Sequence, residues 1–174
     1  NAASRGYFDI LEYAISNGGE LADYVSASAA RTGQFSILEY LIEKKCPLSE
    51  LAFLFAIQED RLDVVKWLYE RKCDGYGYIC PAAATIDKLY ILQWAISVGF
   101  KLNIQISVRA ASSGNIKILE WLRDNDGLFD ASVCSSAASA GRLKTVKWLY
   151  KNGCPWNIDT HSNAVCSGSL KTLK

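Results

Sequence analysis

Six cysteines, one histidine and a glycine-rich turn are the residues of this 174-residue chain whose chemistry could do more than pack. A serine or cysteine nucleophile needs a base in hydrogen-bond reach, most often an imidazole. His161 is the only histidine, and it falls in step with Cys134, Cys80 and Phe53 in the repeat described below, at a position that reads as core. We therefore expect a packed or half-exposed side chain there, no catalytic residues, and no enzyme. The cysteines form no CxxC pair and have no metal-ligand spacing, so neither a metal nor any other cofactor is expected. The turn DGYGYICP (74–81) follows no strand signal and leads into no Lys-Ser or Lys-Thr, which excludes a phosphate-binding loop.

These residues have to be positioned by something, and the sequence says what. TVKWLYKNGCPW (145–156) nearly repeats VVKWLYERKCDG (64–75), at an offset of 81 (145 − 64). Tyr13, Tyr40, Trp67, Trp94, Trp121 and Trp148 follow one another at a constant spacing of 27 (40 − 13, and so on to 148 − 121), and 81 is three such periods. Other columns keep step without an insertion. Ala2, Ala29, Ala56, Ala83, Ala110, Ala137 and Ala164 form one; Phe8, Phe35, Leu62, Leu89, Ile116, Leu143 and Leu170 form another. Gly6, Gly33, Gly114, Gly141 and Gly168 share a third with Asp60 and Asp87. A fixed period of this length is the mark of a repeat architecture.

Each unit reads as two short helices. The second begins at the Phe/Leu column, with second helices starting near 8, 35, 62, 89, 116, 143 and 170. In FSILEYLIEKK (35–45), Phe35, Ile37, Leu38, Leu41 and Ile42 make a broad apolar face opposite Ser36, Glu39, Glu43 and Lys44. Gly18, Gly99 and Gly153 supply left-handed stops. The first helix follows a cap column of Ser49, Asn103, Asp130 and Asn157 and ends at the glycine column. Its alanine pairs belong where neighbouring repeats touch. Helices this short are marginal alone, so each must be held by stacking on the next. The fold expected is all-α, one repeat array over 1–174 of about six and a half helix-turn-helix units. With no methionine, not even at position 1, the chain is expected to be a piece of a longer polypeptide.

Stacking also constrains the cysteines. Cys46, Cys73 and Cys154 share a column, and equivalent residues of stacked repeats lie about one helix diameter, roughly 10 Å, apart. Disulfides need Cα atoms within about 7 Å, so neighbours in that column should not bridge. Cys80 and Cys134 fall in a core column as small hydrophobes. Reduced thiols in an intracellular compartment are expected.

The unit Ala29-Ala30-Arg31-Thr32-Gly33, continuing through Ile37, Leu38 and Leu41, resembles the ankyrin repeat over the whole chain. It is six residues shorter than the usual ankyrin unit of about 33. The missing residues fall where an ankyrin repeat carries its β-hairpin finger. The TPLH signature is absent too, its positions reading Tyr24-Val25-Ser26-Ala27 and Leu51-Ala52-Phe53-Leu54. LKTVKWLYKNGCPWN, with Trp148, Gly153, Cys154, Pro155 and Trp156, is similar to a short, divergent ankyrin-like class found in large DNA viruses and unicellular eukaryotes. That resemblance implies an ankyrin-like α-solenoid and a protein-interaction module without catalytic residues. It places the protein in the cytoplasm or nucleus, or in the virion if a virus encodes it.

A net charge of +1 and no basic stripe argue against nucleic acid, and no apolar run approaches the roughly 20 residues that span a bilayer. The remaining partner is a protein. On the first helices, the columns of Ala52, Phe53, Ala56 and Ile57 should face the core. Those of Leu51, Leu54, Phe55 and Gln58 should form the concave face. That face reads Tyr24, Ala27, Ser28 and Arg31 in the second unit, and Tyr78, Pro81, Ala82 and Thr85 in the fourth. The fifth gives Gln105, Val108, Arg109 and Ser112, the sixth Ser132, Ser135, Ser136 and Ser139, and the last Asp159, Ser162, Asn163 and Cys166. Leu51, Leu54, Phe55 and Tyr78 would make an apolar patch, flanked by Tyr24 and Arg109, where a protein could dock. Two readings stand: this patch is exposed, or the helix boundary is off by one and part of it is core. The fourth unit adds a contrast, since Pro81 would break a helix begun on schedule. A helix starting at or just before Pro81 leaves Tyr76 and Tyr78 on a longer loop, either as repeat decay or as a contact loop. The expected function is a scaffold that binds a macromolecular partner. The alternative is a structural component fixed in a large assembly such as a virus particle.

Overall fold

The computed structural model describes residues 2–157, the side chain of Ser4 excepted, and among these the regular structure is entirely helical. The chain divides into two compact units, Asn1–Ile79 and Cys80–Lys174.

In the first unit the helices are α1 (Ala2–Arg5), α2 (Phe8–Ser16), α3 (Asp23–Thr32), α4 (Phe35–Glu43), α5 (Glu50–Gln58) and α6 (Leu62–Glu70). In the second they are α7 (Ile79–Thr85), α8 (Leu89–Ser97), α9 (Ile104–Ser113), α10 (Ile116–Asp124), α11 (Ala131–Ser139) and α12 (Leu143–Lys151), with Ile79 formally contributed by the first. Every second helix starts on the residue that the period predicts, from Phe8 to Leu143. The start expected near 170 lies outside the described residues.

The alanine columns explain the packing. Ala29 and Ala56 in the first unit, and Ala83, Ala110 and Ala137 in the second, are fully buried. Small side chains let first helices approach closely, and α3 lies against α5 as α9 lies against α11. The second helices bury their own stripe: Ile37, Leu38 and Leu41 on α4; Val64, Val65 and Leu68 on α6; Ile118, Leu119 and Leu122 on α10. Outside this stripe the aromatic column is half-buried from Tyr40 onward. In the first unit two of these rings rest on the opening residue of the preceding second helix, Tyr40 on Phe8 at 4.9 Å and Trp67 on Phe35 at 5.9 Å between centroids.

Two terminators and a clamp set the junctions. The residue at 6, 33, 60, 87, 114 and 141 has positive φ in every pair, and so has the residue at 18, 45, 72, 99, 126 and 153. Glycine fills most of these places, Asp or Lys the others, Asp being among the residues that tolerate the left-handed region best. The clamp comes from the residue just before α6, α10 and α12. Arg61 Nη1 donates to Thr32 O at 2.7 Å, Asn115 Nδ2 to Ala84 O at 2.7 Å, and Arg142 Nε to Ser112 O at 3.0 Å. Each finishes the carbonyl end of the previous pair's first helix, where a donor, and above all a cation, is favoured. Arg61 is itself held by Asp63 through two bonds of 2.9 and 2.7 Å, which keep the Asp63 carboxyl below the usual carboxylate range.

The cap column behaves less uniformly than its composition. Ser49 Oγ accepts from Leu51 N–H and Asp130 Oδ1 from Ser132 N–H, but Asn103 makes no side-chain cap bond. Asp130 is lowered from the usual carboxylate range by the Ser132 hydroxyl and, less strongly, by the N–H groups of Ser132 and Val133. A depressed carboxyl contributes stability that is complete above about pH 4 and is lost as pH falls through its folded value. Asp130→Asn keeps a capping oxygen but does not titrate. We expect it to lose less of its melting temperature between pH 7 and pH 3 than the parent chain does, with Asp130→Ala costing about 1 kcal/mol at neutral pH. Circular dichroism melts at the two pH values check both. An unchanged acid sensitivity in Asp130→Asn would remove this residue from the account.

Candidate functional site

Where the first helices meet solvent, the side chains alternate between cover and display. On α5 the predicted core columns are right, with Ala52, Phe53, Ala56 and Ile57 fully buried. Leu51, Leu54 and Phe55 on the opposite side are half-buried and Gln58 is exposed. In the same columns Ala27 and Ala82 are buried, because alanine is too short to reach past its neighbours, while Tyr24 is 59% exposed and Arg31 exposed. The aromatic display is therefore carried less by the leucines and Phe55 than by tyrosines.

Tyr76 and Tyr78 are 51% and 54% exposed. They lie in a 3-10 turn, Tyr76–Tyr78, and not in an irregular loop. α7 starts at Ile79, two residues behind the period, and Pro81 is its third residue, where the missing N–H has no partner to lose. The turn is fixed by Gly75. Its φ is +91°, and a Cβ there would run into the backbone of Glu50 at the start of α5. Tyr76 leans edge-on against Tyr69 of α6, centroids 6.4 Å apart, and with Tyr69, Glu70 and Lys72 lines an open groove of about 470 Å³. Tyr69 has no distinguishing mark in the sequence, since its column is a mixed one. Arg71 stacks over Trp67 at 3.8 Å and reaches Glu39 at 3.3 Å.

In the second unit the corresponding face is small and polar. Arg109 on α9 is exposed, as are Gln105, Ser132 and Ser139. Tyr24, Leu51, Leu54, Phe55, Tyr76 and Tyr78 thus belong to the first unit and Arg109 to the second. His161, with Asp159, Ser162, Asn163 and Cys166, lies outside the described residues. Among the described residues no three of His, Cys, Asp and Glu gather where they could hold a metal ion, and no helix is long and apolar enough to cross a membrane.

The five cysteines among the described residues are free thiols. Cys46 and Cys73 line one groove without bonding to each other. Cys134 is fully buried, as its column predicts, and Cys154 donates from Sγ to Asp130 O at 3.4 Å, at the start of the first helix of its own pair. Cys46 takes the equivalent place in the second pair, its Sγ 4.0 Å from Ala22 O.

Compared with models of known families, the chain matches none. It matches no curated protein sequence either.

Proposed function

We propose that this chain is a protein-binding scaffold whose units are short ankyrin-like α-solenoids, and that a protein partner docks on the first-helix face of the first unit. The observation that carries this reading is the exposure of Tyr24, Tyr76 and Tyr78 in the same unit as the half-buried apolar Leu51, Leu54 and Phe55. Tyrosine is enriched in the few residues that dominate protein interfaces, because it adds apolar area and a polar tip at small entropic cost. Here two of the rings are presented by a turn that glycine geometry holds in place, so little ordering remains for binding to impose. A display of tyrosines and apolar side chains offers no nucleophile with a base beside it, and favours recognition over turnover.

The test is a quantitative pull-down with the full chain against Tyr24→Ala/Tyr78→Ala. Both side chains are exposed, so the variant should melt like the parent. We expect one protein to lose at least about tenfold in capture, the effect of roughly 1.4 kcal/mol across two interface tyrosines. Undiminished capture by the folded variant would overturn the proposal. Fixed-stoichiometry co-purification indifferent to both tyrosines would favour the structural-component reading instead.

A further inference from the structure

Ser112 is the last residue but one of α9, half-buried, and its hydroxyl donates to Arg109 O at 3.0 Å. Two arginines bracket it. Arg109 is exposed, one turn earlier on the same helix, and residues three apart on a helix are neighbours with Cβ atoms about 5–6 Å apart. Arg142, just before α12, donates from Nε to the carbonyl of Ser112 itself at 3.0 Å. Its stem runs along Gly114, where an added Cβ would stand 3.4 Å from Arg142 Cδ, so the guanidinium is held at the end of α9. The matching clamp in the first unit differs in charge. There Arg61 is ion-paired to Asp63 at 2.7 Å, whereas at α12 the place of Asp63 is taken by the exposed Lys144. Among the described residues neither Arg109 nor Arg142 makes an ion pair, so this clamp has no built-in counter-ion.

We propose that Ser112 is a phosphorylation site, and that its phosphate is held between Arg109 and Arg142. The Ser112 oxygen attacks the terminal phosphorus of a nucleoside triphosphate bound to a serine kinase. The bond from that phosphorus to its bridging oxygen breaks, the nucleoside diphosphate leaves, and the hydroxyl proton passes to the kinase's base. The product carries nearly two negative charges and three acceptor oxygens, which guanidiniums bind through paired N–H donors. Phosphate on the last turn of a helix opposes the helix dipole unless cations meet it, and here one guanidinium is already at Ser112. Held by both arginines, the phosphate ties α9 to the start of α12 and lowers the charge of the second unit's first-helix face.

The sequence singles out the same residue. Serine kinases of basic specificity select an arginine three residues before the target, a charge pattern that excludes most other serines. Only Arg109 and Arg142 have a Ser or Thr three residues on, namely Ser112 and Thr145. Thr145 is 2% exposed, out of a kinase's reach. Ser112 lies in a last turn, which can open locally without unfolding the rest of the helix.

The full chain should be incubated with Mg–ATP and the catalytic subunit of cyclic-AMP-dependent protein kinase, then mapped by peptide mass spectrometry. We expect one major phosphosite, Ser112, absent in Ser112→Ala and filled at least about tenfold more slowly in Arg109→Ala. Phosphorus-31 NMR then reads the capture. The phosphoserine should titrate at least about 0.5 pH unit lower in the folded chain than in the same chain in urea, where its second pKa is about 6. Arg142→Gln, which keeps a donor for the Ser112 carbonyl as Asn115 does for Ala84, should remove at least about half of that difference. Phosphate chiefly at Thr145 or elsewhere would overturn the proposal, as would no phosphate at all. So would a phosphoserine that titrates alike in folded and unfolded chains, or a difference untouched by Arg142→Gln.

Discussion

Phe53→Ala should lower the unfolding free energy of the first unit by about 4 kcal/mol, the largest single loss we expect from a side-chain truncation here. Phe53 is the bulkiest fully buried side chain among the described residues, set on α5 among Ala52, Ala56 and Ile57, which are also fully buried. Loss of its ring removes the transfer free energy of the buried carbons and leaves a hole. The hole is hard to close, because alanine columns have already brought the first helices together, and helices in contact cannot move closer. Equivalent positions elsewhere carry Ser26, Cys80, Ser107 and Cys134, so those pairs are built around smaller residues from the outset. Urea denaturation followed by circular dichroism measures the loss, and hydrogen exchange on peptides of the first unit locates it. A cost below about 1 kcal/mol would mean that the site collapses freely, as well-accommodated truncations do.

Gly75→Ala should come next, at about 3 kcal/mol, since an L-residue held in the left-handed region costs roughly 1–2 kcal/mol by itself. The added methyl also meets Glu50 N and Cα, which belong to the backbone and cannot swing aside as a side chain would. Gly77→Ala is the control: two residues away in the same turn, it has nothing within 4 Å of the added carbon. Its stability should stay within about 0.5 kcal/mol of the parent, as ordinary surface substitutions do. The pair also separates stability from display. Gly75→Ala must shift the turn that presents Tyr76 and Tyr78, so partner capture should fall even at temperatures where the variant is folded. Equal melting temperatures for the two variants would remove the close approach at Glu50 from the explanation.

Periodicity made much of this legible before any coordinates. A column of alanines, a column of large apolar residues and a column of glycines, each repeated at one spacing, leave only one phase for the helices. Hence all the second helices described begin where they should. Even the exception was readable, since Pro81 cannot sit deep in a helix and forces a late start. What sequence columns hide is reach. Ala27 and Leu54 share a position, yet the alanine is covered and the leucine half-exposed because burial depends on the length of the neighbours. Asn103 has a capping side chain by type but makes no cap bond, a rotamer choice that composition does not record. The division into two compact units has no counterpart in the period, which runs through Ile79 without a break.

The clamp from the start of a second helix to the carbonyl end of the preceding first helix has a direction. Arg61 completes Thr32, and Arg142 completes Ser112, always from later in the chain to earlier. During synthesis the earlier helix leaves the ribosome first and waits for a donor not yet made. At these junctions a nascent chain therefore exposes an unfinished carbonyl end at its growing front until the next pair arrives to close it, like a ratchet tooth. Truncation is correspondingly asymmetric. Trimming pairs from the N-terminal side removes acceptors and leaves only donors free to turn to water, whereas trimming from the C-terminal side leaves a formerly closed helix end open.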